Sequence, residues 1–166
     1  MGKIFGKVLV TIFTILSVLS ASLLWITRDV TLKSQSMYHD QSNVVWYILM
    51  HTGIIMSFFI LNSLYKRWTY GIVAFASILT LIFDVYLSSF MHNIFTTILF
   101  LTAVYSLIIH SNYRSINLYW KLGGIASIAF LSGLIGLLGP SGIFLGEYIA
   151  EVCLSIGILH QIWLRN

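Results

Sequence analysis

The chain has 166 residues, of which 58% are hydrophobic and 8% charged, against about 25% charged residues in an ordinary soluble domain. So little polar surface excludes a soluble globule of this size and leaves a bilayer as the solvent. The formal charge of +4 does not mark a nucleic-acid surface, because the basic residues stand singly or in pairs between apolar runs and read as topology signals.

Six apolar runs approach the ~20 residues needed to cross ~30 Å of hydrocarbon. They extend from Ile4 to Ile26, Val44 to Leu64, Trp68 to Ser89, Met91 to His110, Tyr119 to Leu138 and Ile143 to Leu164. The first run, with Lys3 and Lys7 ahead of it and Ser20-Ala21-Ser22 near its end, also has the outline of a signal peptide. It is read here as a retained first span. A loop from Thr27 to Asn43 follows, carrying Arg28, Asp29, Lys33, His39 and Asp40. It is too short for a domain and long enough to fold over the mouth of a bundle. Tyr65-Lys66-Arg67 joins the second and third runs, and an uncharged joint near Ser88-Ser89-Phe90 is placed between the third and fourth. Ser111 to Leu118 leads into the fifth run, whose Gly123, Gly124, Gly133 and Gly136 suit close helix packing in lipid. Gly139-Pro140-Ser141-Gly142 turns the chain into the sixth.

Orientation follows from the basic residues. With the N-terminus inside, Lys3, Lys7, Lys66, Arg67, Arg114, Lys121 and Arg165 fall inside, and only Arg28 and Lys33 outside. Trp25, Trp46, Trp68, Trp120 and Trp163 each stand at the end of a run, as an interfacial aromatic belt requires. The predicted fold is a single all-α integral membrane domain, a six-transmembrane-helix bundle with cytoplasmic N- and C-termini. Its minimal loops fit a bacterial inner (cytoplasmic) membrane.

Asp84, Glu147 and Glu151 are the only acids within the apolar runs. Each costs about 2.5–3.5 kcal/mol at mid-helix, so such residues face the bundle interior and mark function by default. At about 1.5 Å per residue, all three, with His51 and His92, fall in the outer half of the membrane. Glu147 and Glu151 are four residues apart on one helix face, and two carboxylates so placed do not both ionise easily. The candidate polar centre is Asp84, His92 and Glu151, with His51, Glu147, Tyr86 and Tyr148 as ligand-binding neighbours, and Ser57, Ser88 and Asn93 at nearby depths. His110 and His160 lie at the opposite ends of their spans and read as interface residues. No His-x3-His or similar spacing is present, so neither a metal nor a cofactor is predicted. Cys153 is the only cysteine and forms no intramolecular disulfide.

Phe90-Met91-His92-Asn93-Ile94-Phe95 opening the fourth run, the outer loop after the first, and Glu147-Tyr148-Ile149-Ala150-Glu151 in the sixth carry a resemblance. From the second run onward the chain resembles the DRAM/Sfk/FRAG-type membrane proteins, which carry an intramembrane glutamate that Glu151 matches best. The resemblance implies lipid-linked work: lipid-anchor remodelling, phospholipid distribution or membrane trafficking. Membrane lipids are therefore the expected partners, bound or remodelled in an outer-leaflet pocket. In an enzyme, a carboxylate and a histidine would serve as base and acid on an ester or phosphate headgroup. Two other classes stand beside this reading. One is an assembly subunit whose polar residues pair with a partner membrane protein or a second copy. The other is a small proton-coupled carrier, for which the inner half lacks the polar path that transport needs.

Overall fold

The computed structural model describes residues 2–27, 44–83, 85–110, 116–135, 137 and 142–164, without the side chains of Val85, Tyr86, Ser89 and Leu134. These residues form six helices: α1 (Lys3–Thr27), α2 (Val44–Tyr65), α3 (Trp68–Ile82), α4 (Val85–Ile109), α5 (Ile116–Leu134) and α6 (Gly142–Trp163). Among the described residues, Lys3–Thr27, Val44–Tyr65, Phe90–Ile109 and Gly142–Trp163 are long and apolar enough to cross a membrane. The protein is thus all-α and has the helices of a membrane protein. Residues 28–43, Asp84, 111–115 and 138–141 lie outside the described set, and with them the expected outer loop.

Each helix packs on its neighbours in the chain, and α6 returns to pack on α1, so the six close into a ring. Neighbours run antiparallel: Gly6 of α1 meets Leu64 of α2, Ala129 of α5 meets Gly146 of α6, and Thr11 of α1 meets Trp163 of α6. The described basic residues Lys3, Lys7, Lys66, Arg67 and Lys121 consequently share one end of the bundle, called the basic end below. Lys7 there lies over the Trp163 ring, 5.7 Å from its centroid.

Polarity is distributed as lipid demands. The outside is apolar, with Ile12, Leu19, Phe59, Phe75, Leu101 and Ile128 all exposed. The inside holds small hydroxyl residues, including Thr14, Ser17, Ser57 and Thr69, beside the larger apolar ones. Outward-facing hydroxyls are satisfied within their own helix: Thr52 donates to the Ile48 carbonyl at 2.8 Å and Thr97 to that of Asn93 at 2.7 Å. A hydroxyl facing hydrocarbon has no water to bond, and the carbonyl one turn back is the nearest acceptor.

Two pairs of helices approach closely through glycine. A Cβ on Gly53 of α2 would lie 2.6 Å from the Phe13 carbonyl oxygen of α1, and one on Gly146 would lie 2.5 Å from that of Ala129. Gly133 of α5 takes part in the same α5–α6 approach, 2.5 Å from the Gly142 carbonyl oxygen by the same measure. Of the glycines expected to bring α5 close to a neighbour, Gly133 does so against α6, while Gly123 faces Val104 and Ile108 of α4. Gly124 meets nothing within 4 Å.

Several boundaries depart from those read in the sequence. α5 runs from Ile116 to Leu134 rather than from Tyr119 to Leu138. The larger change concerns the third and fourth runs. α3 stops at Ile82 rather than Ser89, while the expected joint is present at Ser88, an extended residue (φ −162°, ψ 94°) ahead of the long helical stretch Phe90–Ile109. His92 supplies a physical reason. Its ring donates from Nδ1 to the Phe83 carbonyl at 2.9 Å, occupying an acceptor that the end of a helix leaves open. Ser88 Oγ accepts the Met91 N–H at 3.4 Å and caps the longer part of α4.

A glycine pair tests the ring's packing. Gly146→Ala should lower stability by about 1–3 kcal/mol, because the clash is with backbone rather than a movable side chain. Gly124→Ala should be neutral or stabilising by about 0.5–1 kcal/mol through helix propensity. Reversible unfolding in mixed detergent measures both, and equal effects would contradict the packing described.

Candidate functional site

The ring surrounds a cavity of about 110 Å³ whose walls come from all six helices. Its polar wall lies toward the end opposite the basic residues and comprises Ser17, His51, His92, Thr96, Glu147 and Glu151. Thr14, Ser57 and Ser155 lie about a turn or more further in. Beyond the polar wall the lining becomes mainly apolar, with Ile54, Phe58, Val73, Ala103, Leu154 and Ile158.

Each polar residue is brought in by helical spacing. On α1 the buried face runs through Val10, Thr14, Ser17, Ala21 and Leu24, at intervals of three and four that keep one side of a helix inward. The four-residue spacing of Glu147 and Glu151 does the same on α6, and both acids line the cavity. On α2, the buried His51 ring lies 4.5 Å from that of Tyr47, centroid to centroid. His92, one turn before Thr96, enters from α4.

The hydrogen bonds fix which atoms the cavity presents. His51 donates from Nδ1 to the Tyr47 carbonyl at 3.3 Å, and His92 from Nδ1 to the Phe83 carbonyl at 2.9 Å. A carbonyl only accepts, so each neutral ring carries its proton on Nδ1 and presents Nε2 as an acceptor. The Thr96 hydroxyl lies 3.3 Å from His92 Nε2. Ser17 bridges three helices: its hydroxyl faces the Met50 carbonyl of α2 at 3.1 Å and hydrogen-bonds to the Glu151 carboxyl of α6. A serine has one proton to donate. With Glu151 ionised, Ser17 gives that proton to the carboxylate; with Glu151 protonated, the carboxyl donates to Ser17 and Ser17 donates to Met50. Both states are hydrogen-bonded, so the triad accommodates either protonation state of Glu151.

Toward the basic end, buried polar side chains tie three helices together. Tyr70 OH donates to Gln161 Oε1 at 3.1 Å, and Gln161 Nε2 donates to the Leu107 carbonyl at 3.2 Å, joining α3, α6 and α4 with buried groups. Further bonds lie at that end between Thr69 and His110 (2.9 Å) and between Tyr119 and His160 (2.8 Å). His110 and His160, read in the sequence as interface residues, are ties between helices.

The structure therefore brings together His51, His92, Glu147 and Glu151. Tyr148 is placed elsewhere: its hydroxyl lies 3.1 Å from Ser22 Oγ and its ring stacks on Trp25 at 5.9 Å, between α6 and α1. Asn93 is exposed and Ser88 caps α4. Asp84 and the Tyr86 side chain lie outside the described residues. Sequence reasoning missed Ser17, Thr14 and Thr96. The available signal was the inward stripe of Thr14, Ser17 and Ala21. Among the described residues no group of three or more His, Cys, Asp or Glu side chains is arranged to hold a metal.

No protein-family model, curated protein or solved structure matches the chain.

Variants at Glu151 test the triad. Glu151→Gln should unfold near wild type, since its amide can donate to Ser17 while Ser17 donates to Met50. Ser17→Ala should cost about 1–3 kcal/mol by stranding the Glu151 carboxyl, and Glu151→Ala about 2–5 kcal/mol through the space it empties. A glutamine variant as unstable as the alanine one would sink the hydrogen-bonding account.

Proposed function

We propose that the chain is a six-span membrane protein, with both ends cytoplasmic, whose cavity binds or remodels a lipid or similar amphiphile from the outer leaflet. The observation that carries this reading is the division of the cavity into a polar wall at one end and an apolar interior. A polar head and a hydrocarbon part need these two surroundings. A carboxyl and an imidazole on facing helices supply the base and acid that remodelling would use. Asp84 joins His92 and Glu151 in this reading on its sequence position, with His51 and Glu147 flanking. The resemblance to the DRAM/Sfk/FRAG-type proteins points to the same lipid-linked theme.

The rival classes fit less well. A carrier needs a path to the cytoplasmic face, whereas Tyr70, Gln161 and Leu107 join three helices across that side. An assembly subunit would turn its intramembrane polar residues toward a partner. Here Glu151, His51 and His92 line the interior and bond within the chain.

Two measurements bear on this reading. For topology, Cys153 is replaced by serine and single cysteines are placed at Lys66 and at the exposed Leu87. A membrane-impermeant maleimide should label position 87 in intact cells and position 66 only after lysis; the reverse pattern refutes the orientation. For function, native mass spectrometry and lipid analysis of gently purified protein should find an amphiphile retained by wild type and depleted in folded Glu151→Gln and Asp84→Asn variants. An empty protein whose same variants release a partner chain would make it an assembly subunit.

A further inference from the structure

The volume of the cavity limits what it can hold. An engineered apolar cavity of about 150 Å³ takes one benzene molecule, so about 110 Å³ accepts a small headgroup and not a whole lipid. The rest of an amphiphile must lie outside the ring. A second depression, of about 180 Å³, runs along the outside between α1 and α6, walled by Ile15, Val18, Leu19, Val152, Ile156 and Leu159. Its remaining two residues are Thr14 and Ser155, which also line the central cavity. The two spaces therefore meet at this pair of small side chains.

The packing of α1 on α6 agrees. The α1–α2 and α5–α6 contacts are drawn tight by Gly53, Gly133 and Gly146. Between α1 and α6 the described polar and ring contacts run from side chain to side chain: Ser22 with Tyr148, Ser17 with Glu151, Thr11 with Trp163, and Trp25 with Phe144 and Tyr148. Side chains, rather than abutting backbones, span this boundary, and the groove lies beside them.

The polar atoms select the head. The cavity is lined by the carboxyls of Glu147 and Glu151 and by His51, whose Nδ1 proton is committed to a backbone carbonyl and whose Nε2 is therefore an acceptor. Two carboxyls oppose an anionic phosphate. A hydroxyl or ammonium head donates to the Glu151 carboxyl and to His51 Nε2.

Building on the amphiphile-binding reading, we infer that the ligand is a single-chain amphiphile with a small, hydrogen-bond-donating, non-anionic head, and that it reaches the cavity sideways from the bilayer. The head passes between Thr14 and Ser155 to Glu151 and His51. The chain remains in the groove between α1 and α6.

The test uses the full chain in nanodiscs, with a diazirine-bearing monooleoyl glycerol as the photoprobe. Cross-links should concentrate on peptides containing Ile15–Leu19 and Val152–Leu159. Unlabelled monoolein should compete, and oleoyl lysophosphatidic acid should compete at least roughly tenfold less well, the factor expected from one hydrogen bond to a charged group. Ile156→Trp, which fills the groove from its lipid side without entering the cavity, should weaken probe binding while leaving the melting temperature unchanged. Ser155→Leu, which closes the junction, should also weaken probe binding, with a lower melting temperature because the site is buried. Equal competition by the phosphate lipid overturns the head assignment. Monoolein binding that is lost in Glu151→Ala but indifferent to both groove variants overturns the lateral route and leaves the amphiphile pocket standing. No saturable binding of monoolein, oleylamine or oleoyl lysophosphatidic acid by the wild type overturns both.

Discussion

The ring closes where α6 meets α1, and the described polar link deepest in that boundary is the Ser17–Glu151 hydrogen bond. The cavity depends on it. Ser17 also reaches Met50 of α2, so a single hydroxyl holds three consecutive helices of the ring around one point. In hydrocarbon an unpaired carboxyl or carbonyl has no water to fall back on, which makes the shared proton a constraint on the positions of the backbones. The α1–α2 and α5–α6 pairs are also held by shape, through glycines that admit a neighbour's carbonyl, and side-chain bonds tie the helices at the basic end. Chemistry resides where the packing is polar and adjustable, and rigidity where it is backbone against backbone.

The coarse architecture was legible because bilayer physics writes it in length and charge. Runs near twenty apolar residues were separated by polar loops, by Lys66-Arg67 and by a glycine–proline turn, and antiparallel packing gathered the described basic residues at one end. The joint near Ser88 is where the chain leaves helical geometry, and the long helix resumes at Phe90. What the sequence did not show is the earlier end of α3 at Ile82, marked by the bond from His92 to the Phe83 carbonyl, which exists only after α3 and α4 pack.

The site shows the same division. Depth along a helix follows from counting, and it correctly grouped His51, His92, Glu147 and Glu151 at one level. Azimuth is harder. Tyr148, next to Glu147, points about 100° away from it around the helix and lands on Ser22 and Trp25 of α1. Ser17 and Thr14 escaped notice because a hydroxyl is cheap in a transmembrane helix, where it can bond the carbonyl one turn back, so its presence carries little information. A buried acid is costly and therefore conspicuous. The search for costly residues found the acids and histidines and missed the inexpensive partner that positions one of them.

That asymmetry bears on how the pocket works. Glu151 can be carried in the bilayer because Ser17 offers it a hydrogen bond in either protonation state, with the Met50 carbonyl taking up the serine proton when the carboxyl brings its own. The carboxyl can therefore exchange a proton, or accept one from a ligand head, without a buried polar group losing its partner. Toward the cytoplasmic side of the proposed topology, the buried Tyr70 and Gln161 are hydrogen-bonded to each other and to the Leu107 carbonyl. Groups that can change their bonding partners lie near one end, and groups already committed to one another lie near the other.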